Sequence, residues 1–260
     1  MKEQTTELNK QSKPKNYTKR YVVTTYLVFW LGILLVGVAF LLSNQNSTVM
    51  NWGSAVASWV PTIILMVMFK KLVPGTTRRK WIKDAFAPRL KFGLLIIIAL
   101  SFIISIGGTY VVMLNRNSQL SVNDLRNLTV QSLASAVFFA IIQGATGEEA
   151  GWRGYLQRYF EDKTGGKVIR SALMVGLIWS FWHTPLWIST GLPIIQMLLY
   201  IGTFIVGNLC LAVIIAVCYS YCRNLIVPMW IHFISNFLST ILEPYVGDVP
   251  SVLEARCWLS

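Results

Sequence analysis

Long apolar runs alternate with short polar stretches along this chain. The first apolar run covers about 21–43 and is closed by the polar turn "NQNST"; others follow at about 52–70, 92–114, 137–159, 168–188, 193–222 and 225–243. A helix needs roughly 20 apolar residues to cross about 30 Å of hydrocarbon. In lipid, a helix satisfies all of its backbone groups internally, so runs of this length read as helices. The pattern therefore predicts an all-α fold, a polytopic transmembrane helical bundle of about seven to eight spans. The segment 129–160 reads as one long helix, ended by "EDKTGG". Pro61 predicts a kink in the second span. The sixth run would reach about 45 Å as a helix, so it must tilt or protrude. An eighth, partial helix is compatible with 70–91 or 120–136.

Charge sharpens this picture. Only 13% of the 260 residues are charged and 54% are hydrophobic, whereas an ordinary soluble domain is about a quarter charged. No Asp, Glu, Lys or Arg occurs from Tyr21 to Phe69, from Phe92 to Asn115 or from Ser171 to Cys222. The net charge of +12 could suggest nucleic acid as a partner. The basic residues, however, cluster at the ends of apolar runs, which is a topology signal. With the N-terminus in the cytosol, all of the 23 Lys and Arg except Arg116, Arg126 and Arg256 fall on the cytosolic side. The expected partners are thus the lipid bilayer and a membrane peptide or protein substrate, with no nucleic acid, in a multi-pass protein of the cell membrane.

The chain divides accordingly. Residues 1–20 form a basic, disordered cytosolic tail, and the first apolar run is an uncleaved anchor because no small-x-small site ends it. Residues 21–128 carry the N-terminal transmembrane helices. Within them the loop 70–91 interleaves cations with Trp81 and Phe86, as suits a helix lying on anionic lipid heads. Residues 129–243 form the core and 244–260 a short polar tail. Cys210, Cys218, Cys222 and Cys257 include no CxxC pair and read as small packing residues.

Ionisable side chains inside a bilayer are costly and usually functional. Here they are Glu148, Glu149, Arg153, His183 and His232, with the amides of Asn208 and Asn236. On a helix, Glu149 and Arg153 are four residues apart in the favourable order, and the Arg fork can hold that carboxylate in two hydrogen bonds. Glu148 points about 100° away and has no partner on its own helix. It lies near the middle of its span. His183 lies past the middle of its own, and His232 and Asn236 straddle the middle of the last, one turn apart. An unpaired acid, both histidines of the chain and an amide at one depth predict a common site. The carboxylate can act as general base, a histidine can orient the same water, and an imidazole with an amide can stabilise an oxyanion. That is a hydrolase constellation for an acyl substrate. Glu and His are also typical zinc ligands, but no HExxH spacing occurs. No Ser or Cys sits beside a base.

These residues fall in stretches that resemble the CPBP family of CAAX proteases and bacteriocin-processing enzymes, also called the Abi family. "EEAGWRGYLQ" is similar to its EExxxR motif, "WSFWHTPLW" to its second motif with an aromatic residue four before a His, and "NLIVPMWIHFISN" to its HxxxN motif with an upstream Pro. The resemblance covers about 130–243. It implies an intramembrane endopeptidase in which Glu148 is the catalytic glutamate, His183 helps to hold the water, and His232 and Asn236 stabilise the oxyanion. Glu149 and Arg153 match the structural pair, and the neighbouring Trp152 and Trp179 are assigned to substrate contact. Members have been described as metalloproteases; the missing zinc spacing favours a mechanism without a metal or cofactor, with a zinc-dependent version as the alternative. Eukaryotic relatives cut prenylated C-terminal tails, and bacterial ones are tied to bacteriocin or pheromone processing and self-immunity. Some relatives lack motif residues and act as scaffolds. The one departure here is the small "ATG" before the doublet, which is expected to widen the cavity. A non-catalytic immunity or regulatory protein and a transporter stay open as alternative classes, although no inverted pair of broken helices marks a transporter.

Overall fold

The computed structural model describes residues 17–116 and 129–246. The expectations for residues 1–16, for the polar stretch 117–128 and for the tail 247–260, including Cys257, lie outside the described residues. Among the described residues every regular element is helical. The helices are α1 (Tyr17–Leu42), α2 (Ser47–Ser58), α3 (Val60–Leu72), α4 (Arg78–Phe86), α5 (Phe92–Arg116), α6 (Val130–Ala140), α7 (Arg158–Lys163), α8 (Val168–Trp182), α9 (Thr184–Ser189), α10 (Ile194–Cys222) and α11 (Ile226–Val246). Wide helical turns at Ile141–Thr146 and Ala150–Gln157 link α6 to α7. Five of the continuous helical stretches are long and apolar enough to cross a membrane. Leu27, Leu34, Ile97, Ile104 and Leu198 remain exposed along them, each at more than half of its surface, as lipid-facing side chains do. The protein is a multi-pass helical membrane bundle.

The sequence places Pro61 in a kink, and the structure puts the α2–α3 junction there, with Pro61 in the first turn of α3. Residues 17–20, expected in a disordered tail, are already the first turn of α1. The loop 70–91 contains a helix, α4, capped by Thr77, whose hydroxyl accepts from the Lys80 N–H. Its Trp81 and Ala85 are buried while Ile82 and Phe86 face outward.

One end of the bundle gathers the basic residues. Lys71 sits over the Tyr17 ring, Lys91 over the Tyr221 ring, and Arg158 and Arg223 both approach the Tyr219 ring. Arg223 closes an ion pair with Glu161 at 2.6 Å. The Leu225 N–H donates to the Ala85 carbonyl, and the Asn224 amide donates to the Phe86 and Pro88 carbonyls, which ties α11 to α4. Just inside this basic end lies a solid layer. Tyr21, Leu65, Trp152, Leu156, Tyr219 and Leu225 are each 0% exposed and belong to one core.

Two expected helices are broken. The segment 129–160 is not one helix: Gln143 has ψ 134° and Gly144 has φ 64°. The carbonyls freed by this break find new donors, as a membrane interior demands. The Thr146 hydroxyl donates to Ile141 O at 2.7 Å, and the Trp59 indole donates to Ile142 O at 3.1 Å. The fifth span breaks at His183, because Pro185 has no N–H to continue the ladder. Here α1 supplies the donors. The Trp30 indole donates to Trp182 O at 3.0 Å and the Tyr26 hydroxyl to Ile178 O, while Thr184 donates to Phe181 O.

Candidate active site

The break at Gln143–Gly144 is where the site begins. Gln143 donates its side-chain amide to Asn51 O at 3.1 Å, which anchors the break to α2. Gly144 is in the left-handed region, where a side chain is strained. A Cβ there would also fall 2.5 Å from His232 Nε2 and 3.1 Å from Asn236 Nδ2. The histidine and the amide thus converge on one spot, which only a glycine leaves free. The helix resumes at once, with the Glu148 N–H donating to Gly144 O at 2.8 Å. The two acids therefore occupy the first turns after the break, where the helix dipole favours negative charge. Gly147, expected to widen the cavity, does something else. A Cβ there would meet Ser58 O at 2.9 Å, so its smallness lets this helix approach α2. None of residues 145–147 lines the cavity.

Glu148 is not without a partner, as the helix geometry alone suggested. The Trp152 indole donates to its Oε2 at 2.9 Å and the Trp179 indole to the same oxygen at 2.6 Å. Both bonds fall on Oε2, so Oε1 is the oxygen that neither indole occupies. The assignment of Trp152 to substrate contact is corrected, because this residue is 0% exposed and is absent from the cavity wall. Trp179 does line the cavity, but its polar groups are committed. Its carbonyl is 2.8 Å from His183 Nδ1, its ring lies against His232 with centroids 5.2 Å apart, and the Arg153 guanidinium stacks 4.3 Å from its centroid. One tryptophan therefore touches every charged or imidazole group of the cluster except Glu149.

Glu149 and Arg153 form the expected pair, at 2.9 Å, both fully buried. The contact is a single bond between Arg153 Nη1 and Oε1 rather than a two-pronged fork; Arg153 Nη2 and Glu149 Oε2 lie buried outside it. The same Oε1 lies 2.7 Å from His232 Nδ1. The two adjacent acids thus serve different neighbours. Glu148 is held by two neutral donors, and Glu149 joins Arg153 to His232.

Tautomers follow from these contacts. A carbonyl can only accept, so His183 Nδ1 carries its proton toward Trp179 O, and a neutral His183 presents a bare Nε2. His183 is wedged among the rings of Phe29, Trp182 and Phe204, which fixes that orientation. Glu148, His183, His232 and Asn236 all line a single cavity of about 360 Å³. Asn208, read as one more intramembrane amide, lies in the same wall with a buried Nδ2. Among the described residues, no three His, Cys, Asp or Glu side chains group as metal ligands.

Comparison with known proteins agrees with the motifs. Residues 130–238 match the family model described as type II CAAX prenyl endopeptidase Rce1-like. Over 111 residues the chain is 28% identical to CAAX prenyl protease 2 of Methanococcus maripaludis. That match covers 41% of this chain and 40% of the relative's length. No solved structure matches the chain.

Proposed function

We propose that the chain is a CPBP-type member of the CAAX proteases, whose family model its residues 130–238 match, and that it is an intramembrane endopeptidase in which Glu148 activates a water molecule. The observation that carries the proposal is the meeting of His232 Nε2 and Asn236 Nδ2 beside Gly144, in the cavity that Glu148 and His183 also line.

The water donates one hydrogen to Glu148 Oε1 and the other to the bare His183 Nε2, which leaves a lone pair for the peptide carbonyl carbon. As the C–O bond forms, Glu148 takes the proton and the carbonyl electron pair moves onto oxygen. Asn236 Nδ2–H and His232 Nε2–H receive that oxyanion. In this role His232 donates from both ring nitrogens, Nδ1–H to the Glu149 carboxylate at 2.7 Å and Nε2–H to the oxyanion. When the intermediate collapses, the amine nitrogen leaves with the proton held by Glu148. No step uses a metal or a covalent enzyme intermediate.

We place the substrates among membrane-associated peptides, lipidated or embedded, in bacteriocin or pheromone processing or in self-immunity. The position of the cavity among spanning helices supports this class. Glu148→Gln keeps the shape and the indole contacts of the side chain but removes the base. General-base catalysis is worth about 10²–10⁴-fold, so cleavage should fall by that order while insertion and melting temperature hold. The membrane peptidome of a strain carrying Glu148→Gln, set against wild type, reveals the uncut substrate. Unchanged peptide profiles and normal cleavage by this variant would overturn the base role.

A further inference from the structure

The cavity is lopsided along the membrane normal. Toward the basic end of the bundle, the helices that carry the site close over it. Trp152 and Leu156 on the Glu148 helix, Tyr21 on α1, Leu65 on α3 and Ile231 on α11 are each 0% exposed. Toward the opposite end the same helices line an open space. On α11 the cavity wall continues from His232 through Ser235 and Asn236 to Ser239 and Thr240, a climb of about 12 Å at about 1.5 Å per residue. On α2 it continues from Ser58 to Ser54, and on α1 from Phe29 to Ile33. All three directions lead away from the basic end, because α1 starts there, α2 runs toward it and α11 starts beside α4.

The wall on this far side is also polar for a membrane interior. It offers the hydroxyls of Ser54, Ser235, Ser239 and Thr240, and Asn208 Nδ2, a buried donor without a hydrogen-bond partner, lies in the same wall. An unpaired buried amide is costly, and a peptide backbone supplies the acceptor it lacks. Basic ends of membrane bundles face the cytosol. From these facts together we infer that the scissile peptide enters from the non-cytosolic side, so that the substrate class is a membrane-anchored peptide whose cleaved segment has crossed to, or lies in, the outer half of the bilayer. The inference rests on the peptidase reading for what is cut, and on the shape of the cavity and the charge pattern for the side of entry.

Cysteine accessibility tests the side of entry without reference to activity. Cys210, Cys218, Cys222 and Cys257 are replaced by Ser, and single cysteines are introduced by Ser239→Cys in the cavity wall, Ser47→Cys at the far end and Lys83→Cys on α4. A membrane-impermeant maleimide is applied to intact cells and, separately, to inverted vesicles. The expected result is that Ser239→Cys reacts in intact cells together with Ser47→Cys and is protected in inverted vesicles, where Lys83→Cys alone reacts. Reaction of Ser239→Cys only in inverted vesicles, or from neither face, overturns the inference. Reversal of the Ser47→Cys and Lys83→Cys controls overturns it too, since the cavity would then face the cytosol. The same labelling with Glu148→Gln added separates the two claims. Outward labelling with no detectable cleavage by the parent protein sinks the peptidase reading alone, and inward labelling with normal cleavage sinks the side of entry alone.

Discussion

The two halves of the bundle, one on each side of the Glu148–Glu149 doublet, are built on opposite principles. Toward the basic end, directly beneath the site, Trp152, Trp81, Tyr21 and Leu156 are packed into a single core of aromatic and aliphatic side chains. Toward the other end the helices separate around a cavity of about 360 Å³ lined in part by hydroxyls and amides. The doublet divides between them. Glu149 is 0% exposed and holds Arg153 and His232 together. Glu148 faces the cavity with one carboxylate oxygen while two indoles grip the other. The difference teaches that the packed half is a mould for the hollow half. The site needs its charged groups immobile, and immobility comes from the side without space.

If that contrast is right, substitutions on the two sides should fail in different ways. The largest effect is expected for Glu149→Ala, which leaves Arg153 buried without its partner. Breaking such a pair costs about 3–5 kcal/mol, to be read as a lowered melting temperature in detergent. Adding Arg153→Met should recover part of that stability, though not cleavage, because His232 stays without its carboxylate. A single Glu149→Ala variant of unchanged stability would remove the idea of a mould.

Next comes Gly144→Ala, on the hollow side. Its Cβ would fall 2.5 Å from His232 Nε2, and if His232 is an oxyanion donor as proposed, displacing it costs about 10²–10³-fold in rate. The backbone there, at φ 64° and ψ −70°, lies outside the regions open to residues with a Cβ, so some loss of stability should accompany the loss of rate. Turnover should collapse while the protein still folds, a combination visible by pairing single-turnover rates with thermal melts.

The smallest effects sharpen the boundary itself. Trp152→Phe and Trp179→Phe each remove one indole donor from the same Glu148 oxygen. The loss of one such bond is worth about 1–3 kcal/mol. Trp179→Phe should reduce cleavage more, because the Trp179 indole also lines the cavity, borders His232 and stacks on Arg153, whereas Trp152 lies outside the cavity wall. Trp152→Phe should be felt more in stability. Equal losses of activity in the two variants would mean that Trp179 is only a second clamp.

Much of this was legible before any coordinates. The apolar runs mark the helices, since a bilayer accepts only segments that satisfy their own backbone; among the described residues five of the stretches are long enough to cross, and the fifth and seventh runs give the shorter apolar helices Val168–Trp182 and Ile226–Ile241. The i,i+4 spacing of Glu149 and Arg153 was enough to pair them. The placement of His183, His232 and Asn236 at the depth of Glu148 followed from counting residues along helices. Other features left no usable signal. The indole clamps on Glu148 were missed because Trp152 and Trp179 read as substrate contacts, although Trp152 shares the i,i+4 relation that exposed the Glu149–Arg153 pair. Gly144 was hidden inside an apolar helix pattern, where a glycine predicts only a modest cost. Its role became visible when His232 and Asn236 were brought against it from a helix nearly 90 residues later in the chain.

The sequence by itself determined which segments are apolar enough for a membrane, which end of the bundle is basic and which few polar groups are available for chemistry. It could do so because charge and hydrophobicity act on each segment separately, whatever its neighbours are. Only the tertiary structure decided which oxygen of Glu148 is engaged, which neighbour each histidine nitrogen faces, and toward which side the cavity opens. Those are properties of contacts between helices, and hydrogen-bond direction and empty volume exist only once the helices have been packed together.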